Sequence, residues 1–448
     1  MLKQSKNRLY TGAAYLMLPW ALFHLISRGI RYSPYFRRWR ERFGFVPEID
    51  TENVVWIHAV SVGEVRTIVR LVEYLQGAYP SSRILVTTMT PTGSSQVAQC
   101  LGDGVAHCYI PYDLPGSINR FLDRVHPTLA FIVETEFWPN IFRLCSDRGI
   151  PLLLVNVRLS PKSFNGYKRF PRFTKNMLSR VTMMAVQSED DAQRLRALGA
   201  PNDVMRVTGN LKFDVHTPEN HAKKAALLRR QWGESRPVWI AASTHEGEEK
   251  MVLRSFQDLR RRYPSLLLVM VPRHPERFAR VANLCRSKGL QVALYSESRG
   301  SHPAGTDVLV GDTMGELQGL YAVADVAFIG GSLVRHGGHN LIEAMIVGVP
   351  CVFGPHVFNF EQSSNIALAS GAASQVRNAE ELAATVGAYL NDPQLRKSAA
   401  RAAAKIIEDN RGSLRATEEF IELSVARLMP RSTHPAVEVI EPLDIRLR

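Results

Sequence analysis

In the first half of the chain, three groups of charged residues stand where a fold would free them for chemistry. WIHAVSVGEVRT (56–67) places Ser61, Gly63 and Glu64 directly after an apolar run, as a helical pattern opens. A glycine there lets backbone N–H groups and a helix N-terminus approach a ligand. A carboxylate there either accepts a proton or simply complements the helix dipole. TLAFIVETEFWPN (128–140) carries Glu134 and Glu136 at the end of a wholly apolar strand pattern. Together with Glu64 they are candidates for a general base and a stabiliser acting on a hydroxyl nucleophile. GNLKFD (209–214) closes this half with Lys212, a point charge able to neutralise developing phosphate charge or an ordinary turn lysine.

The second half repeats the strand-end pattern. AASTHEGEE (241–249) offers Ser243 and Thr244 as helix caps that also donate to phosphate, and VPRHPERF (271–278) presents Arg273 and His274. In GGSLVRHGGHNLIEAMIVGVPCVFGP (330–355), glycines crowd a strand, loop, helix and strand, with Asn340 and Glu343 at the helix start. Such loop amides suit a phosphate and such side chains a ribose or base edge. The P-loop pattern, a Gly-x-Gly-x-x-Gly after the first strand, Asp-x-Asp and helical His-x-x-x-His spacing are all missing from the sequence, so no metal or nucleotide cofactor is expected.

The elements that position these residues are legible as alternation. Short Val/Ile-rich runs at 54–59, 83–88, 128–134, 151–156 and 182–187 read as buried parallel strands, with helices at 63–77, 116–125, 138–148 and 189–198 between them. A second series has strands at 238–243, 266–271, 308–311, 326–331 and 350–354, followed by helical segments at 379–391 and 395–426. This predicts an α/β protein of two doubly wound, Rossmann-like domains facing a cleft. The expected divisions are an anchor at 1–30, a first domain at 31–214, a linker at 215–236, a second domain at 237–405, a helix crossing back at 406–430 and a tail at 431–448.

The chain has 448 residues, 45% hydrophobic and 22% charged, an ordinary globular balance; five scattered cysteines suggest neither a disulfide framework nor a zinc site. A net charge of +13 invites an anionic partner, and the charge is concentrated. Residues 1–50 hold nine Lys/Arg against three acids, and 156–188 holds seven with no acid. Residues 9–26 contain no Asp, Glu, Lys or Arg; at about 1.5 Å per residue they form a helix of about 27 Å, marginal for a span and kinked by Pro19, so a helix lying in the interface or entering one leaflet competes with a span. Basic and aromatic residues follow from Arg28 to Arg42, as at a headgroup region, which predicts an uncleaved anchor with the body on the cytoplasmic side. SPKSFNGYKRFPRF (160–173) mixes cations with Phe164, Tyr167, Phe170 and Phe173 and is the expected lipid contact. Cations set beside an apolar N-terminus, without a recognition module, argue against nucleic acid.

In order and spacing, WIHAVSVGEV, VETEFWPN, GNLKFD, STHEGEE, VPRHPERF and GGHNLIEAMIVGVPCVFGP resemble the 3-deoxy-D-manno-oct-2-ulosonic acid (Kdo) transferases of lipid A assembly. The resemblance runs over about residues 10–425 and implies a GT-B glycosyltransferase of the cell inner membrane. It would invert the anomeric centre as it moves Kdo from CMP-Kdo to the phosphorylated lipid A precursor, lipid IVA. It further implies Glu64 as base, Glu134 and Lys212 as stabilisers, and donor contacts at Pro272, Arg273, Met314, Gly315, Asn340, Leu341, Ile342 and Glu343. Ser61, Gly63, Ser243 and Thr244 are added as candidate contacts to donor phosphate or sugar. A GT-B enzyme using a UDP-sugar on a lipid acceptor is the alternative.

Overall fold

The computed structural model describes residues 2–49, 51, 53–214, 220–298 and 305–426. Two compact units account for the chain: residues up to Leu211 together with those from Gly412 on, and Lys212–Arg411. In the first unit, β1 (Val54–His58), β2 (Arg83–Thr88), β3 (Ala106–Tyr109), β4 (Pro127–Val133), β5 (Leu152–Val157), β6 (Met183–Val186) and β7 (Met205–Val207) form one parallel sheet ordered β3-β2-β1-β4-β5-β6-β7. Successive residues serve opposite faces: Trp56, Leu85, Ile132 and Leu154 enter one apolar layer, while Val55, Ile57, Val86 and Phe131 enter the other. Both faces are covered by helices, which is why these strands lack polar alternation. The helix Ser413–Ala426 contributes Leu414, Ile421 and Val425 to the second layer. Each such buried side chain stabilises by about 1.5–3 kcal/mol, enough to hold the helix on this unit.

The second unit has its own parallel sheet of β8 (Val238–Thr244), β9 (Leu267–Pro272), β10 (Val292–Leu294), β11 (Val308–Val310), β12 (Val326–Ile329), β13 (Cys351–Phe353) and β14 (Ala373–Gln375), ordered β10-β11-β9-β8-β12-β13-β14. It too is apolar on both faces. Within the segment expected to link the domains, Asn220–Trp232 is a helix whose Ala225, Leu228 and Trp232 enter this core; 215–219 lie outside the described residues. The helical run expected at 395–426 divides into Pro393–Asp409 and Ser413–Ala426, at Gly412 with φ +90°. The tail read at 431–448 lies outside the described residues.

The N-terminal helix, Leu2–Arg31, is fastened to the first unit near its start and again just beyond its end. Tyr10 donates to Asp113 Oδ2 (2.9 Å) and Thr11 to Asn140 Oδ1 (3.1 Å). After the helix, Arg38 donates to the His107 carbonyl (2.7 Å), and the Tyr112 N–H donates to the Arg42 carbonyl (2.8 Å). The intervening stretch, Tyr10–Ile30, is long and apolar enough to cross a membrane. One stripe of it faces outward: Leu16 is 82% exposed, Trp20 60%, Phe23 70% and Ile30 77%. The opposite stripe, Thr11, Ala14, Leu18, Leu22, Leu25 and Gly29, is half-buried or buried.

The aromatic segment at 160–173 differs from expectation. It forms two short helices, Pro161–Lys168 and Pro171–Leu178, because Pro171 restarts the chain. Phe164 and Tyr167 pack on the core and Phe173 lies 5.8 Å from the Tyr10 ring, so only Phe170, 66% exposed, is left as an outward aromatic.

Candidate active site

In each unit the strand order reverses beside the first strand, between β1 and β4 and between β8 and β12. Loops leaving the carboxyl ends of such a pair diverge to opposite faces and open a crevice where ligands bind. In the first unit Glu64 follows β1, Glu134 follows β4 and Arg158 follows β5, so the sheet gathers them at one end.

Ser61 caps the helix Val62–Thr67, accepting from the Glu64 N–H (3.4 Å), while the Glu64 carboxylate reaches back to the Val60 N–H (2.6 Å) and the Ser61 hydroxyl (3.1 Å). Glu64 is thus fixed in the first helical turn, where its charge complements the helix dipole, so the structural reading of Glu64 is realised. Burial, and then the carboxylates of Glu134 and Glu136, push the Glu64 pKa up to about 8 against those hydrogen bonds. Burial and Glu134 also raise Glu136, which accepts from Trp138 Nε1 (2.7 Å). Glu134 is buried at φ +59°, a conformation costly for a residue with a Cβ, and its Oε2 meets Arg158 Nε at 3.3 Å. The Thr135 hydroxyl donates to the Arg158 carbonyl and ties the two loops together. Asn156, also left-handed at φ +55°, accepts the Leu211 N–H (3.0 Å) and anchors the end of this unit just before Lys212.

The structure thus brings Glu64, Glu134 and Glu136 together. Lys212 opens the second unit, its ammonium 5.4 Å from the Phe360 ring centre. Gly63 sits in an ordinary helical turn where an added Cβ would meet only Ser61 Oγ at 3.9 Å, so no close approach demands a glycine. Arg158 went unassigned in the sequence, although it follows an apolar strand pattern just as Glu134 does. His58 is likewise an addition: it is fully buried at the end of β1, with Nδ1 2.9 Å from Thr87 Oγ1 and its ring 5.5 Å from Trp138, and burial lowers its pKa to about 4.

In the second unit, Ser243 and His245 lie at the end of β8, Pro272 and Arg273 at the end of β9, and Met314 and Gly315 beyond β11; Asn340, Leu341, Ile342 and Glu343 follow the loop after β12. These strands are neighbours in the sheet, so the residues expected to contact the donor lie at one sheet end. Leu341 and Ile342 are buried and can contribute only backbone groups. Asn340 Oδ1 accepts the Ile342 N–H (3.1 Å), and its amide reaches Glu343 (3.5 Å). Met314 is 46% exposed.

Two expectations need correction. Thr244 is fully buried, donating to Glu249 (3.3 Å), and the helix after β8 is capped by Gly247; neither Ser243 nor Thr244 caps it, and Thr244 is not available to a donor phosphate. Nor do the first amides of the glycine-rich loop, those of Gly331, Ser332 and Leu333, await a phosphate. Glu248, wholly buried, accepts four backbone N–H groups, from His245 (3.0 Å), Gly331 (2.7 Å), Ser332 (3.0 Å) and Leu333 (2.9 Å). Its carboxylate fills the anion cradle that these amides form. The glycines have a packing reason: a Cβ on Gly330 would stand 2.5 Å from the Ser243 carbonyl oxygen. Among the described residues no group of three His, Cys, Asp or Glu side chains is arranged to hold a metal.

Comparison with known proteins follows the same division. Residues 37–215 match the family described as 3-Deoxy-D-manno-octulosonic-acid transferase (kdotransferase), and residues 240–406 match Glycosyl transferases group 1. The chain is 38% identical to the 3-deoxy-D-manno-octulosonic acid transferase of Haemophilus influenzae over 408 residues, covering 90% of this chain and 95% of the relative. The chain belongs to this family. It is 35% identical to the Bordetella pertussis 3-deoxy-D-manno-octulosonic acid transferase, over 82% of this chain and 86% of that one. A crystal structure of UDP-GlcNAc 2-epimerase from Neisseria meningitidis superposes with a TM-score of 0.56 at 14% identity, over 84% of this chain and all of the other; it shares the fold. This Kdo transferase is therefore a glycosyltransferase of the GT-B class, two doubly wound units with an apolar N-terminal helix.

Proposed function

We propose that this Kdo transferase moves Kdo from CMP-Kdo to a hydroxyl of a phosphorylated lipid A precursor, inverting the anomeric centre, with Glu64 as general base. The observation that carries the reading is the carboxylate cluster at the β1/β4 crevice. A carboxylate with a pKa of about 8 is a far stronger base than an ordinary one and still ionises near neutrality. Glu64 takes the proton as the acceptor oxygen bonds to the anomeric carbon; the bond from that carbon to the phosphate oxygen breaks, and its electron pair leaves with CMP. Glu134, set by Arg158, holds negative charge beside the base. Lys212 and Arg273 are the cations assigned to the departing phosphate, so no metal is required.

The outward stripe of the N-terminal helix supports a bilayer-resident acceptor. The helix returns to the same unit from which it departs, at Asp113 and Asn140 before and at His107 and Tyr112 after. A helix spanning a bilayer would carry these attachments on opposite sides. We therefore assign it to the interface, apolar stripe in the acyl region and Arg28–Arg42 at the headgroups on the cytoplasmic side.

The decisive experiment supplies CMP-Kdo and a tetraacylated lipid A precursor, with and without chelator, and reads product mass. One or more added Kdo units, unaffected by chelator, supports the assignment; transfer from UDP-sugars instead refutes it. For topology, Lys6→Cys and Arg37→Cys in a Cys100→Ser background should both react with an impermeant maleimide in inverted vesicles. Labelling of position 6 only from the other face would establish a span.

A further inference from the structure

Four imidazoles gather at the carboxyl end of the second unit's sheet: His245 after β8, His274 after β9, and His336 and His339 in the loop after β12. His336 stacks face to face on His245 with centroids 4.1 Å apart, and His274 meets His245 edge-on at 5.4 Å. His245 and His339 join through their Nε2 atoms at 2.8 Å, with ring planes within 3° and centroids 5.1 Å apart. Parallel planes at that spacing fit two rings meeting edge to edge, the lone pair of one nitrogen facing the N–H of the other. Gly331 makes room for the pair, since its Cβ would stand 3.1 Å from the His339 ring.

This contact restricts protonation. Both Nε2 atoms cannot carry hydrogen across 2.8 Å, so the pair holds at most one positive charge. In the neutral pair one ring donates from Nε2; the other accepts there and carries its proton on Nδ1. The donating ring then has a bare lone pair on Nδ1, the sole position at which the pair can gain a proton.

The surroundings keep the pair neutral when no ligand is bound. The charges acting on the pair are Arg273, His274 and Arg277 from the segment after β9 and His336 from the loop after β12; these segments and the turn after β8 also carry Glu246, Glu248, Glu249, Glu276, Arg280 and Arg335. Glu246 is engaged by Arg277 and Arg280, Glu249 by Arg277 and Thr244, and Glu248 by four backbone amides, among them the N–H but not the ring of His245; Glu276 acts on His274 as a neighbouring charge. Among the described residues no carboxylate hydrogen-bonds an imidazole of the cluster. Burial and then the neighbouring imidazoles and arginines lower the pKa of His245 to about 4; burial and then Arg273 lower that of His339 to about 3.

We infer that this cluster is the seat of an oxyanion of the sugar-nucleotide donor, its carboxylate or its phosphate, and that seating the anion draws one proton from solution onto the His245–His339 pair. The donor then supplies the negative charge that the protein withholds. The inference rests on the reading of this unit as the CMP-Kdo unit.

The test uses the full chain labelled with 15N-histidine at pH 6. An anion within a few ångströms raises an imidazole's proton affinity about 10- to 1,000-fold. Freshly prepared CMP-Kdo should therefore move one Nδ1 resonance of the pair from the unprotonated to the protonated position. Calorimetry at pH 6 in two buffers of different ionisation enthalpy should show between about a tenth and about nine-tenths of a proton taken up per donor bound, according to where in that range the affinity rises. The same Nδ1 response to CMP alone assigns the seat to the phosphate, and a response to CMP-Kdo only assigns it to the carboxylate. His339→Gln, with folding checked by its thermal transition, should abolish the uptake and weaken CMP-Kdo about tenfold or more. Binding of CMP-Kdo to the wild type with no change at either Nδ1 overturns the inference and leaves the donor reading intact. Failure of CMP-Kdo to bind overturns the donor reading itself.

Discussion

Replacing Glu64 by Gln separates its two roles, because glutamine can still cap the helix but cannot accept a proton at neutral pH. Its Oε1 can still accept the Val60 N–H while its amide donates to the Ser61 hydroxyl oxygen, so the tie from the first helical turn back to the loop persists and stability should change by less than about 1 kcal/mol at low pH. The carboxylate's proton affinity gives a second, directional readout. Its folded pKa of about 8 lies above the ordinary 4.5, so its stabilising contribution is complete below about pH 4.5 and is lost as pH rises through 8. The variant escapes that loss, and its stability relative to wild type should grow by up to a few kcal/mol across the interval. Turnover should move the other way. At pH 7 about a tenth of Glu64 is ionised, so wild-type kcat should rise about tenfold per pH unit and level off near pH 8. The variant should lose a factor of about 10²–10⁴ and show no such rise. The assay is Kdo transfer to a tetraacylated precursor from pH 5.5 to 9, beside urea unfolding over the same range. Undiminished turnover in the variant, or a wild-type profile that is flat through pH 8, refutes the assignment of Glu64 as base.

Arg158→Met leaves the buried Glu134 without its 3.3 Å partner; because Arg158 is about one-third exposed, the cost should be about 1–3 kcal/mol rather than the 3–5 of a fully buried pair, read by urea denaturation. Glu248→Gln turns an amide group toward backbone donors that now share a carboxylate, and should destabilise the second unit by about 3–5 kcal/mol; an unchanged thermal transition would contradict the cradle described above. His58, neutral and buried with a pKa near 4, opposes unfolding less as the pH falls from 6.5 to 4, because the unfolded chain binds the proton first. About 3 kcal/mol should be lost over that interval, and His58→Gln should flatten this part of the stability profile.

Ten of the fourteen strands stand where apolar runs place them, and the four others, β3, β7, β10 and β14, are the four edges of the two sheets. An edge strand is paired on one side only and is partly exposed; Met205–Val207 and Val292–Leu294 contain no buried residue and so leave no apolar run to read. The carboxylates were legible for the converse reason. A glutamate that ends a wholly apolar strand, as Glu134 does, cannot enter the sheet and must emerge at its carboxyl end.

From the sequence alone came the doubly wound class, the interior strands, the apolar N-terminal helix and the strand-end positions of Glu64, Glu134 and Arg273, because hydrophobic periodicity and charge are properties of neighbouring residues. The tertiary structure alone decided which acid meets which partner. Three equivalent glutamates in THEGEE carry no mark that Glu248, and not Glu246, binds loop amides some eighty residues onward, nor does His245 announce its hydrogen bond to His339. Such pairings join residues far apart in the chain, and it is the packing of β8 beside β12 that brings them within hydrogen-bond reach. The pKa of Glu64 has the same origin, since desolvation and the field of neighbouring carboxylates exist only once the sheet has assembled.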